Sequence, residues 1–498
     1  MTANGGSRRD SPDAPVAATG IEGLDDILGG GFPRDRLYLV VGDPGVGKTT
    51  LALQFLLEGV RRGERGVCIA LSETEEEMRV VAASHGWSLD GIALQQVSDT
   101  DGAPEEDNTL FHSSEVELAE ATKSLLAEIR RVDPVRVVFD SLTEIRLLAQ
   151  SPLRFRRQVL GLKQFFAGRH CTVLMIEDRM DGRPEVESVV HGILHLEQLA
   201  PEYGAERRRL RVSKLRGVRF RGGYHDYKIK RGGLAVYPRL IAAEHRTEFP
   251  GEAVPSGLPR LDEMLGGGLE RGTSALFMGP AGTGKSVLAM QYAIAAAKRG
   301  EPAFYFTFDE GSGTLFARSE GLGQPVRELV GAGKLSIHQI DPAERSPGEF
   351  ACRVLEAVEK EGARVVAVDS LNGYMLAMPE ERFLSAQLHE LFSYLRQRGV
   401  LALSTMAQHG FLGTAMPTPV DISYLADTVV LLRYFETAGA VHKAISIAKK
   451  RSGPHESTIR EYGMTSRGIE IGEPLRDFQG IMTGVPIYGG GYRGAAEG

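Results

Sequence analysis

Two short stretches of the sequence combine glycines, a lysine and a hydroxyl residue at a spacing that binds phosphate. They read GDPGVGKTT at residues 42–50 and GPAGTGKSV at residues 279–287, and both match G-x-x-x-x-G-K-[ST]. Glycines let the backbone turn so that its amide groups converge on phosphate oxygens, and the lysine adds a positive charge. The pattern predicts two nucleotide-binding loops. The residues expected to bind ATP are Gly42, Asp43, Pro44, Gly45, Val46, Gly47, Lys48, Thr49, Thr50, Gly279, Pro280, Ala281, Gly282, Thr283, Gly284, Lys285, Ser286 and Val287.

A hydroxyl and a carboxylate in each half of the chain have the positions expected of Mg²⁺ ligands. Thr49 and Ser286 follow the loop lysines, where a hydroxyl suits a Mg²⁺ ion that bridges the terminal phosphates. Asp140 and Asp369 each end an apolar run before a serine, which is the position expected of the acidic residue that holds the ion. The alternative is that each aspartate only caps a helix or loop at the end of its strand.

Acidic residues after another apolar run can activate water for attack on a bound phosphate. The two runs end in LSETEE and FDEGSG, so Glu73 aligns with Glu310 and Ser72 with Asp309. We therefore predict Glu73, Asp309 and Glu310 as catalytic residues, because they lie at strand ends beside the predicted phosphate sites. A solvated acidic loop is the competing interpretation. With one carboxylate in the first copy, we expect slow hydrolysis there.

The chain contains an internal repeat. The stretch TGIEGLDDILGGGFP from Thr19 aligns without a gap with SGLPRLDEMLGGGLE from Ser256, at an offset of 256 − 19 = 237 residues, and Lys48 then aligns with Lys285. Polar residues and the breakers in FPGEAVPSG mark a linker near residues 242–255. We predict four segments: a disordered tail at 1–13, a first domain at 14–245, a second domain at 246–485 and a flexible tail at 486–498.

Within each copy, short apolar runs alternate with amphipathic helical patterns, which is typical of an α/β fold. RLYLVVG and TSALFMG are apolar runs that end at the first glycine of each loop. GVCIAL, AFYFTF, VRVVFDS and RVVAVDS are also unbroken apolar runs, as expected for strands buried inside a parallel sheet. We predict two doubly wound domains, each with a mostly parallel sheet flanked by helices.

The composition argues against several other classes of protein. The 498 residues are 42% hydrophobic and 25% charged, which is ordinary for a folded globular chain. No apolar run approaches the roughly 18 residues of a membrane span, and the N-terminus lacks the apolar centre of a signal peptide, so we expect a cytoplasmic protein without a membrane segment. Three widely separated cysteines indicate neither a disulfide framework nor a zinc site. A net charge of −7 does not favour nonspecific nucleic-acid binding.

Taken together, these motifs resemble the KaiC family of double-domain RecA-like ATPases. The likeness extends from about Thr19 to Tyr488 and rests on GIEGLDDILGGGFP with its counterpart GLPRLDEMLGGGLE, both glycine-rich loops, SET and DEG, both Asp-Ser strand ends and KLRG. The resemblance implies two tandem RecA-like P-loop NTPase domains that use ATP and Mg²⁺. It also implies a homohexamer of two stacked rings with ATP between neighbouring subunits, and it leaves signalling proteins as partners to be identified.

The resemblance also gives a role to two basic pairs, Lys214 with Arg216 and Lys449 with Arg451. Residues two apart on a strand project from the same face, so each pair can direct both charges at one partner. In the family such a pair reaches the terminal phosphate of the neighbouring subunit's nucleotide, where cations stabilise the charge that develops during phosphoryl transfer. An ordinary charged strand face is the alternative.

In the family, the second domain phosphorylates itself on an adjacent serine and threonine before a strand that starts with Asp-Thr. The matching stretch is TPVDISYLADTVVLL, in which Ser423 keeps the first acceptor and Tyr424 replaces the second, while Thr418 lies where the family has another threonine. The resemblance implies serine/threonine autokinase activity, with Ser423 as acceptor and Asp309 or Glu310 as base. A loop hydrogen bond is the alternative role for Ser423.

Two other function classes stay open at this point. A RecA-like DNA-binding motor is supported only by the basic strip between Arg207 and Arg221, and a salt-sensitive shift in DNA mobility would favour it. A signalling scaffold would use nucleotide only to lock its rings, and ATP would then drive assembly without turnover.

Overall fold

The computed structural model describes residues 15–96, 126–179, 185–201, 204–376, 383–408, 423–437, 439–481 and 487–488. The chain divides into two compact units, Met1–Arg239 and Leu240–Gly498. Leu240 and Ala242 are buried in the apolar core of the second unit, so the division falls before residue 245. The tail expected at 1–13, and all of the tail expected at 486–498 except 487–488, lie outside the described residues.

A nine-stranded sheet forms the centre of the first unit. The strands of this unit are β1 (Val16–Ala17), β2 (Phe32–Pro33), β3 (Leu37–Gly42), β4 (Gly66–Ala70), β5 (Ile92–Gln96), β6 (Arg136–Asp140), β7 (Thr172–Asp178), β8 (Gly192–Leu199), β9 (Arg207–Leu215), β10 (His225–Lys230) and β11 (Gly233–Tyr237). The order in the sheet is β5-β4-β6-β7-β3-β8-β9-β10-β11. The first six of these strands run parallel, and the last three extend the sheet in antiparallel pairing. Strands β1 and β2 form a separate antiparallel pair.

The second unit repeats this sheet. Its strands are β12 (Ala253–Val254), β13 (Leu269–Glu270), β14 (Ser274–Gly279), β15 (Ala303–Thr307), β16 (Leu335–Gln339), β17 (Val365–Asp369), β18 (Leu401–Ala407), β19 (Thr428–Thr437), β20 (Ala440–Lys450), β21 (Arg460–Thr465), β22 (Gly468–Pro474), β23 (Phe478–Gln479) and β24 (Ile487–Tyr488). The order is β16-β15-β17-β18-β14-β19-β20-β21-β22, again with six parallel strands followed by three antiparallel ones. The predicted fold class is confirmed, and the antiparallel extension of each sheet is a feature that the sequence did not predict.

Helices cover the sheets, as the alternating pattern predicted. The helices are α1 (Glu22–Leu28), α2 (Lys48–Arg61), α3 (Glu75–Ser84), α4 (Leu142–Ala149) and α5 (Pro152–Phe166) in the first unit, and α6 (Pro259–Met264), α7 (Lys285–Lys298), α8 (Ser312–Gly321), α9 (Val326–Gly331), α10 (Pro347–Glu359), α11 (Leu371–Leu376) and α12 (Leu384–Gln397) in the second. Residues 126–132 are also helical, and 3₁₀ turns occur at Glu185–Ser188, Ala242–His245 and Ser423–Leu425. Within the described ranges, none of the helices has the length and apolar character needed to cross a membrane.

The parallel strands bring the loops and the predicted carboxylates to one edge of each sheet. In β3, alternate residues face two different apolar layers: Tyr38 and Val40 pack on one side, and Leu39 on the other. A sheet covered on both faces needs such unbroken apolar strands. Ala70 at the end of β4 pairs with Asp140 at the end of β6, so the segments that follow these strands emerge side by side.

Candidate functional site

Each glycine-rich loop joins the carboxyl end of a central strand to a helix, β3 to α2 and β14 to α7. Gly45 and Gly47 have φ angles of 81° and 94°, and Gly282 and Gly284 have φ angles of 76° and 102°. This left-handed region carries no steric penalty for glycine. Because the first amide groups of a helix have no partner within it, each loop and helix start offers the donors that a phosphate needs.

The first glycine of each loop has a packing role as well. A Cβ atom on Gly42 would lie 2.7 Å from the carbonyl oxygen of Leu196, and one on Gly279 would lie 2.3 Å from the carbonyl oxygen of Leu432. Both carbonyls belong to the backbone of the adjacent parallel strand, which cannot move aside easily. Glycine at these two positions is therefore required by close approach to the neighbouring strand.

The two loop lysines have different surroundings. Lys48 Nζ donates to the carbonyl oxygens of Gly42 and Asp43, each at 2.9 Å, and lies 2.9 Å from Asp178 Oδ1. Lys285 Nζ donates to the carbonyl oxygen of Pro280 at 2.8 Å. Burial lowers the pKa of Lys285 to about 8, although the negative charge of Asp369 opposes this shift. The strand register explains why Asp178 has no equivalent beside Lys285, because Gly42 pairs with Asp178 whereas Gly279 pairs with Ala407.

The predicted magnesium ligands come together in both units. Thr49 Oγ1 donates to Asp140 Oδ2 at 2.7 Å, and Ser286 Oγ donates to Asp369 Oδ1 at 3.0 Å. Hard oxygen donors of this kind fit Mg²⁺, which usually takes its other ligands from water and substrate phosphates. This fits the described part of the chain, where no group of three or more His, Cys, Asp or Glu side chains could hold a metal ion alone.

The two aspartates predicted as magnesium ligands differ in their hydrogen bonds. Burial raises the pKa of Asp140, while the Thr49 hydrogen bond and the charge of Lys48 oppose the rise. Asp369 accepts hydrogen bonds from the hydroxyls of Tyr305 and Thr405 in addition to Ser286. At the offset of 237 residues, Tyr305 corresponds to Cys68, which has no comparable hydroxyl. The second site thus holds its aspartate with more donors than the first.

Glu73 is a partly buried carboxylate in the first site, and one of its oxygens is unsatisfied. Its Oε2 atom is buried and has no hydrogen-bond partner among the described residues. Burial raises the pKa of Glu73, and the negative charges of Asp140 and Glu77 raise it further. An unpaired buried carboxylate is costly for stability, which makes this residue a candidate for a functional role.

The two candidate carboxylates of the second site are both engaged. Asp309 Oδ2 accepts a hydrogen bond from the hydroxyl of Ser370, the residue after the magnesium-site aspartate. Glu310 is held by Arg318 of α8 through two hydrogen bonds, at 3.1 Å from Nε and 2.7 Å from Nη2. The predicted pair of carboxylates is therefore present, but its two members have different partners.

The basic pairs lie at the opposite end of the strands from the loop of their own unit. Strand β9 ends with Leu215 paired to Gly192 at the start of β8, whereas the loop follows Gly42, which pairs with Leu196. Lys214 and Arg216 donate to the carbonyl oxygens of the preceding 3₁₀ turn.

Similarly, Lys449 pairs with Val429 near the start of β19 in the second unit. Lys449 Nζ donates to the carbonyl oxygen of Ala426 at 2.8 Å, and Arg451 lies 3.4 Å from Asp427 Oδ1. Each basic pair is thus anchored to the backbone or a side chain of its own unit, away from that unit's loop.

Of the two candidate phosphoacceptors, only the backbone of Ser423 is described. Ser423 begins a 3₁₀ turn, and its side chain lies outside the description, as does all of Thr418. The carbonyl oxygen of the next residue, Tyr424, accepts a hydrogen bond from Arg451 at 3.1 Å. The turn precedes Thr428, which pairs with Ala275 near the start of β14, so it also lies at the far end of the strands from the second loop.

Sequence reasoning missed several residues that shape the two sites. Asp178 reaches Lys48, Arg318 reaches Glu310, and Tyr305 reaches Asp369. No short motif marks these residues, because each comes from a different strand or helix. Comparison of the two copies could have pointed to them, because the equivalent position in the other copy has a residue of a different chemical type.

Comparisons with known proteins agree with this geometry. A family model described as "ATPase: KaiC" matches residues 17–241 and 254–476. The chain is 28% identical over 487 residues to the circadian clock oscillator protein KaiC of Thermostichus vulcanus, covering 96% of this chain and 93% of the relative. It is 27% identical over 483 residues to the circadian clock protein KaiC3 of a Synechocystis species, covering 94% of each chain. Each matched segment contains one complete loop with its hydroxyl–aspartate pair.

Proposed function

Because the chain belongs to the KaiC family of ATPases, with one ATPase domain in each repeat, we propose that it hydrolyses ATP at both glycine-rich loops. The observation that carries this proposal is in the first site. There the buried, unpaired oxygen of Glu73 lies within electrostatic reach of Asp140, which accepts the hydrogen bond of Thr49. A base, a hydroxyl–carboxylate pair and a lysine are the parts that nucleotide hydrolysis needs.

In the proposed step, Glu73 accepts a proton from the attacking water. The water oxygen forms a bond to the γ phosphorus of ATP, and the bond from that phosphorus to the bridging oxygen breaks. ADP leaves with the electron pair of the broken bond, and inorganic phosphate is the other product. The raised pKa of Glu73 makes it a better base than an ordinary carboxylate. Lys48 and the loop amides stabilise the negative charge on the phosphate oxygens.

Thr49 with Asp140, and Ser286 with Asp369, would hold Mg²⁺ in the two sites. When bound, Mg²⁺ neutralises negative charge on the terminal phosphates and orients them. The chain's own contribution is to keep each hydroxyl and carboxylate side by side next to the loop lysine before the nucleotide arrives.

We also propose that ATP lies between copies of the chain in a homohexamer. Lys214 and Arg216 lie at the strand end opposite their own loop, so in one chain they point away from the nucleotide that the chain itself binds. Burial lowers the pKa of Lys214, and the positive charges of Arg216 and Lys163 lower it further, so an anion from a neighbouring copy would relieve this repulsion. The corresponding pair in the second unit is Lys449 with Arg451.

A second proposed activity is autophosphorylation of Ser423. The 3₁₀ turn that contains Ser423 is tied to Arg451 through the carbonyl oxygen of Tyr424. A neighbouring copy whose γ-phosphate met Arg451 would therefore also come close to this turn. In that reaction the serine oxygen attacks the γ phosphorus, ADP leaves, and the serine proton passes to a carboxylate of the second site.

Glu73→Gln tests the hydrolysis proposal in a chain that also carries Lys285→Ala to disable the second loop. We expect ADP production to fall about 100-fold or more, the usual contribution of a general base, while ATP binding persists. Glu76→Gln, on the exposed face of α3, is the matched control and should leave turnover unchanged. Equal turnover in the two variants would contradict the assignment of Glu73.

Mass spectrometry of the ATP-incubated full chain tests the autokinase proposal. We expect a phosphate on Ser423 that is absent when Lys285 is replaced by alanine. ADP production without phosphate on Ser423 would refute the autokinase and leave the ATPase standing. A salt-sensitive mobility shift with DNA would instead favour a DNA-binding motor.

A further inference from the structure

The pairing of Arg318 with Glu310 distinguishes the second site from the first. Nε and Nη2 of Arg318 contact the two carboxylate oxygens of Glu310, at 3.1 Å and 2.7 Å. Exposure is 25% for the Arg318 side chain and 22% for that of Glu310, so the pair is partly shielded from water. A two-point contact of this kind fixes the orientation of the carboxylate as well as neutralising it.

Arg318 lies close to the centre of the site. Burial opposes the charged form of this arginine, but Glu310 outweighs it, and Tyr305 and Asp369 add to the effect, so the pKa of Arg318 is raised. The guanidinium therefore remains charged and within electrostatic reach of the aspartate assigned to Mg²⁺. A carboxylate held by a permanent cation is a poor proton acceptor, because protonation would require the ion pair to separate.

Among the residues that the structure describes, the first site has no counterpart of this pair. At the offset of 237 residues, Glu310 corresponds to Glu73 and Arg318 corresponds to Val81, a partly buried residue on α3. The buried Oε2 of Glu73 has no hydrogen-bond partner in the part of the chain that the structure describes. The two repeats thus present the same glutamate in two states, available in the first site and restrained in the second.

We propose that Arg318 is a positioning residue that restrains Glu310, leaving Asp309 as the carboxylate that activates the attacking group in the second site. Asp309 is held by the hydroxyl of Ser370, a neutral donor, rather than by a cation. The restraint makes the second site slower at hydrolysing ATP than the first. This inference rests on the proposed hydrolysis of ATP at both loops.

Arg318→Met tests the restraint in a full chain that carries Glu73→Gln to silence the first site. We expect kcat to rise about fivefold, which is the factor equal to roughly 1 kcal/mol for release of a partly exposed ion pair. The gain should appear in kcat while the affinity for ATP stays unchanged, because Glu310 acts on the attacking group and not on nucleotide binding. Arg318→Lys, which keeps the charge but not the two-point contact, should give an intermediate rate.

Arg318→Met with Glu310→Gln is the decisive double variant, since it should abolish the gain in kcat. A rise that persists without Glu310, or no rise at unchanged ATP affinity, would overturn the inference. Val81→Arg in the otherwise unaltered chain is the reciprocal test, and it should slow the first site. If Arg318→Met failed to fold, unchanged turnover in Val81→Arg would overturn the inference by itself. Absence of turnover in the unaltered chain would instead refute the proposed ATPase.

Discussion

Raising the pH should weaken nucleotide binding at the second loop through loss of the proton on Lys285. Burial lowers the pKa of this lysine to about 8. At pH 7 about nine tenths of free sites carry the ammonium, and at pH 9 only about one tenth do. A lysine in contact with phosphate oxygens stays charged, so at pH 9 binding must take up a proton. The apparent affinity should therefore fall about tenfold between pH 7 and pH 9, or roughly 1.4 kcal/mol.

Titration with a fluorescent ATP analogue checks this expectation, using a full chain with Lys48→Ala so that only the second loop binds. Lys285→Arg in the same background is the control, because a guanidinium stays protonated throughout this range. The control accounts for any titration of the nucleotide itself. An affinity that changed equally in both proteins, or in neither, would refute the reasoning that a buried lysine titrates in the free site.

Three further predictions concern other contacts of the two sites. Asp178→Asn should tighten ATP binding at the first loop by roughly two- to fivefold, since a partly exposed ion pair to Lys48 is worth up to about 1 kcal/mol. Nucleotide titration checks this expectation, and Ala407→Asp should weaken ATP binding at the second loop. Gly279→Ala should lower the free energy of unfolding by roughly 1–3 kcal/mol, and an unchanged denaturant midpoint would count against the close backbone contact. Arg216→Ala should lower ATP turnover. If the Arg216 guanidinium acts on the nucleotide of a neighbouring copy, mixing Arg216→Ala chains with Lys48→Ala chains should restore part of the turnover rate. No recovery would indicate that Arg216 acts within one chain.

Much of the fold could be predicted because its signals are local and repeated. The strands that lead into the two loops are unbroken apolar runs, and each loop has glycines at positions that have a left-handed φ or closely approach another strand. The antiparallel strands gave weaker signals. Strand β9, for example, contains several arginines and has buried residues only at some positions, so its sequence suggested a basic strip instead of a strand of the sheet.

The candidate sites could be predicted only as far as sequence motifs reach. Thr49 and Asp140 were both marked by their positions, and they come together because β3 and β6 both pair in parallel with β7. The partners of Lys48 and Glu310 could not be found in this way, because Asp178 and Arg318 meet them through sheet register and helix packing. The sequence suggested that the second site, with two carboxylates, would be better equipped for hydrolysis. The contacts of Glu310 favour the opposite order.

The most direct test of two working nucleotide sites is the number of ATP molecules retained per chain, measured by native mass spectrometry with Mg²⁺ and excess ATP. We expect two nucleotides per chain in the unaltered protein, and one in each of Lys48→Ala and Lys285→Ala. A single nucleotide or none in the unaltered protein, or two in either variant, would show that the chain does not have two independent ATP sites.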